Sequence, residues 1–399
     1  MCAASRSGTI HTIAGNGEPR FAGDGGPASA ASLNEPKNLA VDRTGFLYIA
    51  DSENHVIRRV DLGSGRIATI AGRADASVDH APPMDREAEL SDEDPLGGPT
   101  HADAQRFTQL RDLSGTVRFL SGSSATAQRF GGDGGPAVAA FLNFPGALAI
   151  DDEGNLYIAD TMNHRVRKLT AATGDITTIA GTGQHRFSGD GGPAVAAALH
   201  DPTALAFDGA GNLYIADQGN HRVRRLDLAT GVISTVAGVG ESMYNGDGIP
   251  ACEAGLAGPS GLACASDDIL YIADTFNNRI RQVDLKTGLI GSVIGDGHEY
   301  RYQSEAEEPS MSLSRPYGIA LTPGGDILIT DSDNHLIRKW ERRSRRIVRV
   351  AGSGTSRYSG DGGVPLETSL SYPFGIAVDA HGNVFIADTF NHRVRMIAA

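Results

Sequence analysis

The stretch that decides the fold is Leu213-Tyr214-Ile215-Ala216-Asp217, followed after two residues by Asn220-His221-Arg222-Val223-Arg224. Copies of it recur along the chain, and the last five of its aspartates are spaced 57 residues apart. An earlier copy lies 109 residues before these, close to two intervals. The aspartates are Asp51, Asp160, Asp217, Asp274, Asp331 and Asp388. Self-similarity at such a period is the signature of solenoids, propellers and other repeat architectures.

Each repeat is predicted to form four strands joined by tight turns. In the copy at 201–238, the apolar run 204–207 follows Pro202, a residue that suits the start of a strand because it donates no ladder hydrogen bond. Turn clusters separate this run from the apolar stretch 213–216 and from two more polar stretches, 222–226 and 232–238. We label these predicted strands a to d. Because a and b are apolar throughout, both faces of such a sheet must be covered.

Stacking the copies face to face around an axis covers both faces. The sequence therefore predicts an all-β fold, a β-propeller of four-stranded antiparallel blades, with a linear β-solenoid as the alternative. The chain ends favour a closed ring, because the last repeat stops at Ala399 without a strand d while Gly8–Gly15 has the sequence of one. Pairing this N-terminal outer strand with the last blade would remove open sheet edges.

The number of blades depends on the stretch 73–122. Its end, Asp112–Gly122, matches strands c and d of a repeat, but it holds no convincing strand a. Seven sequences of the strand-d type occur in the chain, which favours seven blades with one degenerate; six blades with an insertion is the alternative. We predict a single propeller domain over 1–399, in which 73–104 is a degenerate blade or an inserted mobile loop.

The charge balance disfavours two classes of partner. Asp and Glu number 48 against 35 Lys and Arg, and the formal net charge of −13 opposes binding to nucleic acid or to an anionic membrane. The N-terminus has no apolar core of a signal peptide, and no run of 18 apolar residues occurs, so no transmembrane segment is expected and the compartment stays open. We expect a monomer.

The motif Asp160-Thr161-Met162-Asn163-His164-Arg165 resembles the signature of NHL-repeat propellers, as do its equivalents beginning at Asp217 and Asp388. The block Gly132–Ala137, with the sequence Gly-Asp-Gly-Gly-Pro-Ala, recurs at 23–28 and 189–194 and in part at 360–365. It resembles a bacterial subtype of that family. The resemblance covers nearly the whole chain outside 74–104 and implies a β-propeller, and family members are usually six-bladed.

The recurring polar motifs are interpreted as framework. The motif histidines occupy the same place in each repeat, so a ring would keep them too far apart to share one metal ion, and we expect them to bridge to the neighbouring blade. They are His55, His164, His221, His335 and His392. Each Gly-Asp-Gly-Gly-Pro block offers one carboxylate, whereas calcium takes six or more oxygens, so tight turns are expected there. The sequence contains no Gly-x-Ser-x-Gly, His-Glu-x-x-His or paired Cys-x-x-Cys motif, and no cofactor or metal is expected.

Function is expected where the repeat is broken, at the positions that flank the first proline of strand a. These positions vary from blade to blade while the framework repeats, as binding surfaces on scaffolds do. We expect a non-catalytic binding scaffold that uses its rim to recognise a protein, peptide or glycan. The expected contact residues are Glu35, Lys37, Asp201, Arg315, Tyr317, Tyr372 and Phe374. The alternative is a lyase or hydrolase with a metal-assisted channel site, for which Asp201, Glu35 and His200 would be the first ligands.

Overall fold

The computed structural model describes residues 8–74, 130–298 and 311–399, which belong to one compact unit. These residues form six antiparallel sheets that are the blades of a β-propeller. The inner strand of each blade contacts the inner strand of the next, and that of the sixth contacts that of the first, which closes the ring. The propeller prediction is thereby confirmed.

From the inner strand outwards, consecutive strands of each blade pair in an antiparallel meander. Strand β1 (Ile10–Ala14) comes first along the chain. Blade 1 contains β2 (Pro36–Val41), β3 (Phe46–Asp51), β4 (Val56–Asp61) and β5 (Arg66–Ala71). Blade 2 contains β6 (Gly135–Pro136), β7 (Pro145–Ile150), β8 (Leu156–Asp160), β9 (Arg165–Leu169) and β10 (Asp175–Ala180). Blade 3 contains β11 (Pro202–Phe207), β12 (Asn212–Asp217), β13 (Arg222–Asp227) and β14 (Ile233–Ala237).

The second half of the ring repeats the pattern. Blade 4 contains β15 (Ile249–Pro250), β16 (Pro259–Ala265), β17 (Ile269–Asp274), β18 (Arg279–Asp284) and β19 (Leu289–Ile294). Blade 5 contains β20 (Pro316–Leu321), β21 (Ile327–Asp331), β22 (Leu336–Glu341) and β23 (Arg346–Ala351). Blade 6 contains β24 (Pro373–Val378), β25 (Val384–Asp388) and β26 (Arg393–Ile397). Strand β1 adds the outer strand of blade 6, and the short strands β6 and β15 pair at the outer edges of blades 2 and 4.

Short 3-10 turns mark two places in the repeat. One turn follows the second strand of every blade, at Ser52–Asn54, Thr161–Asn163, Gln218–Asn220, Thr275–Asn277, Ser332–Asn334 and Thr389–Asn391. Another lies ahead of the inner strand, at Ala28–Ala30, Ala137–Ala139, Ala194–Ala196, Ala251–Glu253 and Pro365–Glu367.

The ring has six blades, so the expectation of seven is corrected in favour of its alternative. Blades 1 and 2 are direct neighbours: β2 contacts β7, and the Ser52 hydroxyl donates to the Pro145 carbonyl at 2.6 Å. Tyr48 and Ala50 of blade 1 pack in one buried cluster with residues of blade 2. No place is left in the ring for a further blade between them. The segment 73–104, predicted as a degenerate blade or loop, lies outside the described residues from position 75 onwards.

The predicted closure by an N-terminal strand is confirmed. Strand β1 pairs antiparallel with β26, with Ile10 opposite Ile397, and supplies the fourth strand that blade 6 lacks. The Thr12 backbone N–H and hydroxyl both donate to Asp361 at 2.9 Å. The two ends of the propeller are therefore held together by the backbone ladder and by side-chain hydrogen bonds.

Apolar side chains fill the spaces between blades. In the described residues there are six buried hydrophobic clusters, and each joins two neighbouring blades. In the cluster between blades 3 and 4, for example, Tyr214 and Ala216 pack with Leu262 and Ile272. This is why strands a and b are apolar on both faces: each face meets a different neighbouring blade.

A fully buried arginine organises each blade. In blade 3, Asp217 accepts from the His200 backbone N–H at 2.7 Å and from the Asn220 amide at 2.9 Å. Arg224, which is fully buried, contacts Asp217 at 3.2 Å and Asp190 at 2.6 Å. Asp190 is the aspartate of a Gly-Asp-Gly-Gly-Pro block, so the block does more than turn the chain. The equivalent arginines are Arg58, Arg167, Arg281, Arg338 and Arg395.

The motif histidine joins its blade to the next one, as predicted. His221 has a left-handed backbone conformation (φ 53°), and its Nδ1 accepts from the Gly258 backbone N–H at 3.1 Å. The residue that donates this bond stands directly before the first proline of the next inner strand. The same bond links Phe144 to His55, Asp201 to His164, Tyr372 to His335 and Glu35 to His392, at 3.1–3.3 Å. Asn278 Oδ1 takes the histidine's place for Arg315, at 3.0 Å.

Candidate functional site at the channel mouth

The candidate site lies at the end of the ring where the inner strands begin. Each blade brings three variable positions there: the residue before the first proline of the inner strand, the residue after it, and the middle residue of the 3-10 turn. The first of these has a positive φ in all six blades, at Glu35, Phe144, Asp201, Gly258, Arg315 and Tyr372. The histidine or asparagine of the preceding blade holds that backbone in place, so the side chain is free to differ between blades.

On one side of the channel mouth a lysine is enclosed by aromatic rings. Lys37 is only 6% exposed, and its ammonium group lies 2.9 Å from a carboxylate oxygen of Glu35. The same ammonium lies 4.9 Å from the ring centroid of Phe374, 5.7 Å from that of Phe144 and 5.8 Å from that of Phe390. These contacts satisfy the lysine within the protein, by charge pairing and by cation–π attraction.

Tyr317 links three blades across the channel. Its ring stacks on Phe374 of blade 6, with centroids 4.6 Å apart, and its phenol group lies near the side chain of Gln218 of blade 3, which offsets part of the rise that burial causes in the phenol's pKa. Burial raises the pKa of Tyr317 above its ordinary value, and the nearby charge of Asp201 raises it further. Tyr317 and Phe374 also line a cavity of about 280 Å³ on the axis, to which the inner strands of all six blades contribute.

A cluster of histidines lies between blades 2 and 3. The rings of His164, His185 and His200 have centroids 5.5–5.8 Å apart. Asp201 approaches two of them, with Oδ1 at 3.1 Å from His164 Nδ1 and Oδ2 at 3.7 Å from His200 Nε2. Burial lowers the pKa of His221, and positive charge on His200 lowers it further.

Blade 3 departs from the others at the first position of the 3-10 turn. In five blades a serine or threonine stands there, and its hydroxyl donates to the carbonyl of the first proline of the next blade at 2.6–2.9 Å. Blade 3 has Gln218 instead, which is 2% exposed and lies near the Tyr317 phenol. The next blade's Pro259 carbonyl accepts from Thr203 at 3.3 Å. The substitution thus turns a framework position into one that faces the channel mouth.

The predicted contact residues divide into two groups. One connected group contains Glu35, Lys37, Phe374 and Tyr317. Asp201 is linked to this group across the channel, because its charge raises the pKa of Tyr317.

Of the other two predicted residues, Arg315 lies apart from this group and Tyr372 borders it. Arg315 pairs with Asp333 at 3.3 Å. Tyr372 packs edge-on against His335 at 4.4 Å and against Phe390, one of the rings around Lys37, at 5.2 Å. Tyr372 is only 6% exposed, as little as most of the connected group, whereas the Arg315 side chain is 22% exposed.

Sequence reasoning missed Gln218, His185 and Phe390 as parts of this site. Gln218 carried a visible signal, because serine or threonine occupies the same place in every other repeat. His185 carried none, since it precedes the Gly-Asp-Gly-Gly-Pro block at a position that varies.

The metal ligands named for the alternative function do not converge. His200 and Asp201 are neighbours, but Glu35 belongs to another blade and is paired with Lys37. Within 8–74, 130–298 and 311–399, no three side chains of His, Cys, Asp or Glu are placed to hold a metal ion. In the same residues, no helix has the length and apolar character to cross a membrane.

The fold and its repeated motif define the class of protein. Residues 10–101 match the family model of the teneurin NHL domain, and residues 142–169 and 313–340 match that of the NHL repeat. The chain belongs to the NHL-repeat β-propeller family and forms a propeller scaffold.

Two curated relatives are similar over about two thirds of this chain. One is the protein SUPPRESSOR OF QUENCHING 1, chloroplastic, of Arabidopsis thaliana, 32% identical over 66% of this chain and 26% of the relative. The other is NHL repeat-containing protein 2 of Gallus gallus, 28% identical over 66% of this chain and 40% of the relative. The chain therefore spans well under half the length of these relatives.

A solved structure supports the fold alone. An auxiliary nutrient binding protein from Bacteroides thetaiotaomicron aligns with 98% of this chain and 76% of its own, with a TM-score of 0.61 and 16% sequence identity.

Proposed function

We propose that this propeller is a non-catalytic binding scaffold that recognises a protein, peptide or glycan at the channel mouth. The observation that carries the proposal is the contrast between a framework repeated in all blades and a face that differs in every blade. A rigid scaffold with variable residues at one end is a common design for recognition. The aromatic and arginine side chains at this end are of the kinds that dominate binding energy.

The exposed residues of this face would make the first contacts. Arg315 and Glu35 have side chains about one fifth exposed, and Tyr317 is half-buried. Phe374, at 7% exposure, would support them from below, because Tyr317 stacks on it. Truncating Phe374 would leave a cavity in the core and cost about 3–5 kcal/mol of stability. It is therefore a poor choice for testing recognition.

The test is a binding screen of the purified chain against a peptide library and a glycan array. Arg315→Ala removes a partly exposed charge that pairs with the partly exposed Asp333, and ion pairs open to solvent contribute little to stability, so the fold should persist. Arg343→Ala is the matched control. It removes the same charge from an exposed position in the turn between β22 and β23, at the opposite end of blade 5.

We expect a ligand that binds the unaltered chain to bind Arg315→Ala at least tenfold more weakly and Arg343→Ala with unchanged affinity. Circular dichroism and thermal unfolding would check that both variants are folded. Equal binding by both variants would remove the channel mouth as the recognition site.

A further inference from the structure

Two buried oxygen atoms at the blade 3 side of the channel mouth have no hydrogen-bond partner among the described residues. One is Oδ1 of Asp201, a residue 4% exposed, and the other is Oε1 of Gln218, 2% exposed. The two side chains are neighbours because Pro202 pairs with Asp217 in the β11–β12 ladder. Buried acceptors without donors are rare in folded proteins, since the lost hydration costs free energy.

The nearest groups do not supply the missing donors. His164 Nδ1 lies 3.1 Å from Asp201 Oδ1, but that nitrogen already accepts the Asp201 backbone N–H at 3.3 Å. A ring nitrogen that accepts a hydrogen bond carries no proton to donate. The Gln218 side chain lies close enough to the Tyr317 phenol to offset part of the rise that burial causes in its pKa, but Oε1 of Gln218 has no hydrogen-bond partner among the described residues.

The surroundings indicate what would satisfy these oxygens. Asp201 is a buried carboxylate, and a carboxylate in that position gains most from a positively charged donor. The adjoining Tyr317 ring stacks on Phe374, and the axial cavity of about 280 Å³ opens beside both rings. Aromatic faces attract cations and pack against apolar groups. A primary ammonium has three N–H donors, no acceptor and a positive charge.

We propose that Asp201, Gln218 and Tyr317 form a subsite for a primary ammonium group attached to an apolar or aromatic body. The ammonium donates to Asp201 Oδ1 and Gln218 Oε1, and its organic part lies against the Tyr317–Phe374 stack. This inference rests on the proposed recognition function and names the chemistry of one part of it. An N-terminal amine, a lysine side chain and a small amine share this chemistry.

Benzylammonium chloride is the probe, and benzyl alcohol is its neutral counterpart of nearly equal shape. Calorimetric titrations at pH 8, above the ordinary pKa of imidazole of about 6.5, keep protonated histidine from competing. We expect a dissociation constant on the order of 1 mM for benzylammonium, as suits a ligand of this size, and at least tenfold weaker binding of benzyl alcohol. Absence of binding up to 50-fold above that concentration, about 50 mM, would overturn the proposal.

Asp201→Asn keeps the shape of the side chain and removes its charge, and should weaken benzylammonium binding at least tenfold. Glu241→Gln is the matched control, because it removes one carboxylate charge from an exposed position. Equal weakening by the two variants would mean that only the net charge matters, and would overturn the subsite.

Gln218→Thr is a second variant. It restores the hydroxyl that the other five blades use to bind the next blade, from threonine in three blades and from serine in two. It should remain folded and bind benzylammonium about fivefold more weakly, and unchanged binding would contradict the role of Gln218. Peptides with free and acetylated N-termini, with and without lysine, then separate the two peptide sources. If the probe fails while Arg315-dependent capture persists, the subsite is refuted and the recognition function is not.

Discussion

The two carboxylates that hold Arg224 should contribute very unequally to stability. Asp217 is fully buried, whereas the Asp190 side chain is 37% exposed. Asp217→Asn removes the charge that pairs with a fully buried guanidinium and disturbs the acceptor for the His200 backbone N–H. Breaking a buried ion pair from one side costs about 3–5 kcal/mol, because the remaining charge stays buried without its partner. Asp190→Asn removes a partner that water replaces in part, so the cost should be about 1 kcal/mol.

Urea unfolding followed by circular dichroism at pH 8 measures the difference. Burial raises the pKa of Asp217 to about 6, so its carboxylate is ionised at that pH. With a dependence on urea of about 3 kcal/mol per molar, Asp217→Asn should lower the midpoint by about 1–1.7 M and Asp190→Asn by about 0.3 M. The two substitutions remove the same charge from contact with the same arginine. Equal shifts would refute the reasoning that burial, and not the count of ion pairs, sets the contribution.

Two further predictions concern packing and reactivity. Gly240→Ala should destabilise the chain by about 2 kcal/mol, because Gly240 has φ +92° and the new methyl group would collide with the Arg222 guanidinium. In a chain that also carries Arg222→Val, about half of this cost should vanish, as measured by urea unfolding. An unchanged cost would exclude the collision. Iodoacetamide at pH 8, with peptide mass spectrometry, should modify the exposed Cys252 and spare Cys264 until the chain is unfolded. Burial raises the pKa of Cys264 to about 12, which leaves a thiolate fraction of only about 10⁻⁴, so rapid native labelling of Cys264 would contradict its burial.

The repeat of 57 residues was enough to predict the blades. Strand positions, turn glycines and the first proline of each inner strand depend on local rules, which the sequence displays once per repeat. The N-terminal closing strand was predictable for the same reason: Ile10–Ala14 has a strand-d sequence and the last repeat lacks one. The framework role of the histidines followed from their identical places around a ring.

The number of blades was not predictable from these patterns. Sequences of the strand-d type count seven, but ring closure depends on how blades 1 and 2 pack. Ser52 donates to the Pro145 carbonyl across that joint, and residues of both blades share a buried cluster. Such contacts join positions more than 90 residues apart, so they cannot be predicted from a local sequence pattern.

The buried arginines show the same limit at a smaller scale. The polar alternation of strand β13 does not reveal that Arg224 is fully buried. Its burial requires Asp190, which lies 34 positions earlier in the chain and reaches it through the Gly-Asp-Gly-Gly-Pro block. The sequence predicted only a tight turn for this block, whereas in the structure its carboxylate is the second of the two that pair with Arg224.

The repeat by itself determined the architecture and separated framework from variable positions, because each repeat obeys the same local physics. It also located the end of the propeller where function is expected. The tertiary structure decided what the variable residues do there. Tyr317 stacks on Phe374 of one blade and lies near Gln218 of another. Lys37 is enclosed by the rings of Phe144, Phe374 and Phe390. These residues meet only because closure of the ring brings side chains from distant repeats to one axis.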